Sequence, residues 1–284
     1  MDKQLLREKV EHLTIWKKHD QRAPHKPLLI LYALGRLVTH QQRWIPFKQA
    51  YTKMEHLLKE YGPPRKSYHP EQPFVRLVND GIWQLTPSVD HQKFTKTELL
   101  VKEIQGGFTP EVQKLLEKDR SLPFEIANDI LVKHFPETYH EELLQEFVLI
   151  FGFRTYRKRD AAFRRKIIHA YEGRCAVCGF SAKIHGSLVG VEAAHIKWHQ
   201  YGGPDMEDNG LALCSLHHKL FDKGIFTVTN GKKVWVSEYA SGIENFREMM
   251  TDFHNQNIRM PFSLCYEPSS DFLEWHVREV FKGY

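Results

Sequence analysis

Apolar side chains at Leu5, Leu6, Val10, Leu13 and Trp16 recur close to the i, i+3, i+4, i+7 spacing that turns one stripe of a helix towards a core, which predicts a helix over residues 3–18. The stretch QRAPHKP breaks this pattern. LLILYALGRLV then resumes as a helix apolar on most sides, as expected of an element central to a core. A third helix is predicted from Phe47 to Tyr61, stopped by GPPR. FVRLV and IWQLT follow as strand-like runs around Asn79-Asp80-Gly81, whose tolerance of positive φ predicts a hairpin. Three helices and a hairpin make the first part a mostly helical, winged-helix-like module. Helical patterns continue through residues 96–150 in PEVQKLLEKD and HEELLQEFVLIF.

Beyond residue 150 the pattern changes. VGVEAAHIKWH alternates as a strand carrying His195, MEDNGLALC returns Asn209 towards it, and SLHHKLFD opens a helix. FTVTNGKKVWVS reads as a hairpin turning at Asn230-Gly231, and SSDFLEWHVREVFKG as a helix N-capped near Ser270 or Asp271. The expected class is α+β with two domains, residues 1–150 and 151–284.

Composition narrows the partners. The 284 residues, 42% of them apolar, suit a globular chain long enough for two domains. A formal charge of +5 leaves nucleic acid open as a partner. RTYRKRDAAFRRK, Arg154 to Lys166, sets seven basic residues against the single acid Asp160 and reads as a solvated helix face or as a phosphate-contacting linker and helix. MDKQLLREKVEHL has no signal-peptide apolar region, and the longest apolar run, LLILYALG, falls short of the ~20 residues a membrane helix needs. A cytoplasmic protein without a membrane partner is expected, and there four cysteines point to metal or redox use more than to disulfides.

The cysteines have ligand spacing. CAVC supplies Cys175 and Cys178, and LCSLHH supplies Cys214 and His217. Each pair sits on one tight turn, so four ligands can converge tetrahedrally on Zn²⁺, and the 36 residues from Cys178 to Cys214 make the zinc a staple between distant segments. A thioredoxin-like redox pair is the weaker reading, because no βαβ pattern surrounds CAVC. Cys265, in the apolar MPFSLCY, could replace His217 but reads more simply as a buried free thiol. On a helix His217 and His218 differ by about 100° in direction, so only one can face the zinc. Asp222 lies one turn beyond His218 on the same face, and the two can form a second, harder metal site.

The order His195, Asn209, His218 around a zinc staple resembles the HNH nuclease family, a ββα-metal fold, over roughly Arg174 to Phe226. The resemblance implies that His195 is the general base, that Asn209 fixes the hairpin and orients the imidazole or reaches the metal, and that His218 holds one Mg²⁺ or Mn²⁺. Many members carry a metal ligand before the base, where this chain has Ala194. Asp222 is the expected substitute, and Glu192 is set aside because strand alternation points it away from His195.

RAPHKPLLILYALGRL and HPEQPFVRLVNDGIWQL resemble the sulfur-binding domain of Type IV restriction endonucleases that attack phosphorothioate-modified DNA. By that resemblance Pro73 faces sulfur beside Gln72, where the family often has an aromatic residue, with Tyr32 or Tyr68 shaping the pocket. His25 and Lys26 embrace the phosphate, and Arg22, Arg65 and Arg76 make backbone or base contacts to double-stranded DNA. The expected function is a modification-dependent HNH endonuclease. The alternatives are an HNH nuclease reading a methylated base or plain sequence, and an inactive zinc-stapled DNA-binding protein. One site per chain cuts one strand, so a double-strand break needs a homodimer or two visits.

Overall fold

Asp2 starts the first helix. Its carboxylate accepts from the Leu5 N–H at 2.8 Å, which satisfies one of the amides that a helix start leaves open. In the computed structural model, which describes residues 1–15, 20–147 and 161–283, that helix is α1 (Lys3–Glu11). It is shorter than the predicted 3–18, and Trp16 lies outside the described residues.

The chain divides into two units, Met1–Tyr156 and Arg157–Tyr284. In the first, α2 (His25–His40) buries Leu28, Leu29, Ile30, Leu31 and Leu34 almost completely, as its all-round apolar pattern requires. It packs on α3 (Phe47–Tyr61), which follows the short β1 (Ile45–Pro46), and on α7 (Leu122–His134). The other elements are α4 (Glu71–Arg76), β2 (Trp83–Thr86), α5 (Lys96–Val101), β3 (Gln105–Phe108), α6 (Pro110–Lys118) and α8 (Glu137–Glu146). No helix among the described residues is long and apolar enough to cross a membrane.

The predicted hairpin is not there. FVRLV lies in α4 and a 3-10 turn, Leu77–Asp80, because Phe74, Val75 and Leu77 are all buried, and adjacent buried side chains suit a helical turn better than a strand's alternation. Gly81, at φ +69°, ends that turn instead of joining two strands. The partner of β2 is β3, in an antiparallel sheet of order β1-β3-β2 that pairs Trp83 with Phe108 and Thr86 with Gln105. QGGF looks like a loop in sequence, yet its glycines serve close approach. A Cβ at Gly106 would lie 2.6 Å from the Trp83 ring, and one at Gly107 2.4 Å from the Arg43 carbonyl.

The second unit begins with α9 (Ala161–Ala170), which turns Phe163, Ile167 and Ala170 inwards; the basic residues Arg154 to Arg159 lie outside the described residues. An unpredicted hairpin follows, β4 (Ala182–Ile184) and β5 (Ser187–Val189), turning at His185-Gly186, both at positive φ. Next, β6 (Val191–His195) and β7 (Gly210–Cys214) pair antiparallel from Val191↔Cys214 to His195↔Gly210. α10 (Ser215–Asp222) follows β7 directly and packs on both strands, as does α9. The tail adds the predicted hairpin, β8 (Phe226–Val228) with β9 (Val234–Val236), then α11 (Phe246–Met249) and α12 (Ser270–Glu279), whose N-cap is Ser269. Leu211, Leu213, Phe221, Phe226 and Leu273 form the middle of this core.

Candidate functional site

The knuckle Cys175–Cys178 is tied down by backbone. Gly179 N–H donates to the Cys175 carbonyl at 2.9 Å, with Gly179 at φ +73°, and Ala176 N–H donates to the Ala212 carbonyl of β7 at 2.7 Å. Cys214 closes β7 and is the N-cap of α10, which places His217 on the first turn. The donor atoms of Cys175, Cys178, Cys214 and His217 all lie within 4.8 Å of one another, the spacing that four ligands of one tetrahedral Zn²⁺ require. His217 Nδ1 faces Cys214 Sγ at 3.1 Å, while its Nε2–H donates to the Met249 carbonyl at 2.9 Å, which fixes the tautomer with Nδ1 as the ligand atom. Among the described residues this is the only cluster of three or more metal-type donors. Cys265 takes no part, and contrary to expectation it is exposed, 3.3 Å from the Ser263 hydroxyl.

His218 points elsewhere. Its Nδ1 lies 2.6 Å from Glu192 Oε2 and its Nε2 3.4 Å from Asp222 Oδ2, so both ring nitrogens face carboxylates. The Nε2 atom and the Asp222 carboxylate, both buried, are the kinds of donor that hold a divalent cation, so the donor set fits one. Trp198 Nε1–H holds the other Asp222 oxygen at 3.1 Å, and Glu192 orients the ring in the manner of a carboxylate behind a metal-bound histidine. Glu192 was not anticipated from sequence as a contact of His218. Alternation separates it from His195, but α10 starts directly above Glu192, whose other oxygen accepts from Ser215 Oγ at 2.8 Å.

His195 sits at the end of β6, stacked on Phe163 of α9 with ring centroids 4.2 Å apart and planes 11° off parallel. Its Nε2 meets Asp205 Oδ1 at 2.7 Å. Burial holds its pKa below the usual histidine value, and the bond to Asp205 opposes that shift without cancelling it. The ring is thus neutral at neutral pH. Asn209 is fully buried and its side chain is committed to backbone. Its Oδ1 accepts from Lys197 N–H at 2.8 Å, and its Nδ2 donates to the Lys197 and Pro204 carbonyls at 3.0 and 2.9 Å. Asn209 therefore staples the loop that ends in Asp205, and Asp205 holds His195. Sequence inspection missed Asp205 because it lies outside the His–Asn–His spacing.

In the first unit the predicted residues divide. Lys26 is buried and forms an ion pair with Asp80 Oδ2 at 2.5 Å, while Asp80 Oδ1 accepts from Thr14 N–H. In the absence of DNA its charge is paired inside the fold. Arg22 is buried too and donates to the Tyr61 carbonyl. Pro73 lies in the first turn of α4, buried, and not in a loop; Gln72 beside it is half-buried, as are Tyr32 and Tyr68, and Arg76 is exposed. His25 is half-buried at the start of α2. Burial, reinforced by His69 and Arg65, pushes its pKa down to about 4. His25, Arg65 and His69 thus lie within electrostatic reach of one another, with His69 held by Ser67 Oγ and Glu71 Oε1 at 3.1 and 3.0 Å. His69 was not singled out from sequence.

The HNH endonuclease family model matches residues 175–229, the stretch that holds the cysteine knuckle, the β6–β7 hairpin and α10. The model described as ScoMcrA-like, DNA sulfur-binding domain, matches residues 3–151, and the chain belongs to that family. Among solved structures, the sulfur-binding domain of SprMcrA complexed with phosphorothioated DNA is 18% identical with a TM-score of 0.45, over 52% of this chain and 95% of that one. The corresponding ScoMcrA complex is 19% identical with a TM-score of 0.43, over 50% of this chain and 97% of that one. The modification-dependent TagI restriction endonuclease is 24% identical with a TM-score of 0.32, over 42% of this chain and 38% of that one. No curated protein matches the chain.

Two outcomes follow from this geometry. Cys175→Ser is expected to abolish stoichiometric zinc and to lower the melting temperature of the second unit, read by elemental analysis and calorimetry; unchanged zinc content would exclude the cluster as its site. Asp205→Asn removes the interaction that raises the His195 pKa, so the ring is expected to titrate at still lower pH in an NMR titration, and an upward shift would contradict the assignment.

Proposed function

We propose that the protein is a modification-dependent restriction endonuclease, in which the first unit selects phosphorothioate-modified DNA and the second hydrolyses a phosphodiester bond. The observation that carries this reading is the presence in one chain of a sulfur-binding domain and an HNH domain that retains His195, Asn209 and His218. The family match over the first unit favours it over a reader of methylated bases or plain sequence.

A phosphorothioate sulfur is larger, more polarisable and less well hydrated than the oxygen it replaces. Its selection calls for a small apolar wall beside groups that hold the charged backbone. We assign the polar side to His25, Arg65 and His69 and the apolar side to the proline-bearing start of α4 with Tyr32, Tyr68, Gln72 and Pro73; Arg76 is a backbone or base contact. Neutral His25 donates a hydrogen bond without demanding a second counter-charge. The sheet order β1-β3-β2 behind three helices supports the winged-helix-like reading of this unit.

In the second unit neutral His195 is the general base. It takes a proton from the water that attacks phosphorus, the bond to the 3′-oxygen breaks, and the product carries a 5′-phosphate. Asp205 orients the ring, and Asn209 acts through the loop that positions Asp205. His218 and Asp222 would hold Mg²⁺ or Mn²⁺, which supplies charge stabilisation for the departing oxygen.

His195→Ala provides the test. It is expected to lower the cutting rate at least about 100-fold, the lower end of what a general base contributes, while leaving the affinity for a phosphorothioate duplex unchanged in fluorescence anisotropy. Undiminished cutting would remove His195 from the chemistry.

A further inference from the structure

α9 joins the catalytic imidazole to a second feature. Phe163 of this helix stacks on His195, and the following residues Arg164, Arg165 and His169 line an open cleft of about 580 Å³ together with Lys183 and Leu188 of the β4–β5 hairpin and with Phe262. Three permanent cations and a histidine face a single acid, Glu172. Neither Arg165 nor Lys183 forms an ion pair among the described residues, so their charge is available to a ligand. The cleft also has an aromatic wall. Phe262 is 56% exposed and meets His169 edge-to-face at 5.1 Å, above the aliphatic Ile168 and Leu188.

Cations beside an exposed aromatic ring suit a nucleotide chain, whose phosphates need positive charge and whose bases or sugars need a flat apolar surface. Distance agrees with this. From Phe163 to His169 the helix rises about 9 Å, at about 1.5 Å per residue. Along one DNA strand that is two to three steps of about 3.4 Å. Arg164 to His169 therefore lie within that length of α9 from Phe163, the residue stacked on His195.

We propose that this cleft binds the DNA strand flanking the scissile phosphate, with phosphates on Arg164, Arg165 and Lys183 and a base or sugar against Phe262. The inference rests on the nuclease reading and adds a DNA-binding surface that does not sense the modification. Affinity from this cleft depends on salt and is equal for modified and unmodified DNA.

The test uses the full chain carrying His195→Ala, so that the DNA survives, with one duplex sequence prepared with and without a phosphorothioate. Arg165→Ala with Lys183→Ala is expected to weaken both duplexes by the same factor, about 5- to 10-fold, and to flatten the plot of log affinity against log salt by about 1.8, at about 0.9 for each phosphate no longer neutralised. Phe262→Ala is expected to weaken both duplexes with the salt slope unchanged. Zinc content and melting temperature equal to those of the parent, and recovery in Arg165→Lys, separate a missing charge from misfolding. An unchanged affinity and slope would overturn the proposal, as would a weakening confined to the phosphorothioate duplex. Cutting by the chain with His195 intact is read separately. If it is absent while the salt slope still falls, the nuclease reading fails and the DNA-binding cleft remains.

Discussion

The second unit depends on one convergence, that of three sulfurs and an imidazole nitrogen on a single point. Cys175 and Cys178 come from a knuckle ahead of the β4–β5 hairpin, and Cys214 and His217 from the junction of β7 and α10. The strands between them are three to five residues long, too short to fix a register without help. Closing this loop does more than stabilise it. Once His217 faces the cysteines, the rotation of α10 is set, and His218, about 100° further round, must face Glu192 and Asp222. The adjacent histidines thus divide the labour, with the first fixing the helix and the second using the direction it gains.

A second chain of dependence runs through Asn209. Its buried amide makes three hydrogen bonds to the backbone of residues 197 and 204, and the residue after Pro204, Asp205, holds His195. Phe163 closes one face of the same imidazole. The ring is therefore fixed by a carboxylate at one nitrogen and an aromatic plane, and burial lowers its pKa against the opposing pull of Asp205. One support comes from a loop and the other from a helix, and Asn209 acts on the ring only through the backbone it holds.

How much of this was readable in the sequence depends on the range of the interactions. The zinc ligands follow from spacing within two turns, and α2, α3, β6, β7 and α10 from periodicity, because local pattern and tertiary burial agree there. The Glu192–His218 contact was not legible because a strand's alternation says nothing about which helix covers each face. β3 was invisible because its glycines answer to Trp83 and Arg43, far away in sequence. Lys26 has the look of a phosphate ligand in sequence because its partner Asp80 lies 54 residues on. The FVRLV segment was read as a strand, although its buried apolar residues fit a helical turn.

The central claim is that one unit confines the other's chemistry to modified DNA. It is tested most directly by incubating the purified chain and Mn²⁺ with two plasmids of identical sequence, one carrying phosphorothioates and one not, and measuring cleavage of each over time. The account predicts cutting of the modified plasmid alone. Equal cutting of both would contradict it, leaving the HNH domain as a nuclease whose first unit does not select for sulfur.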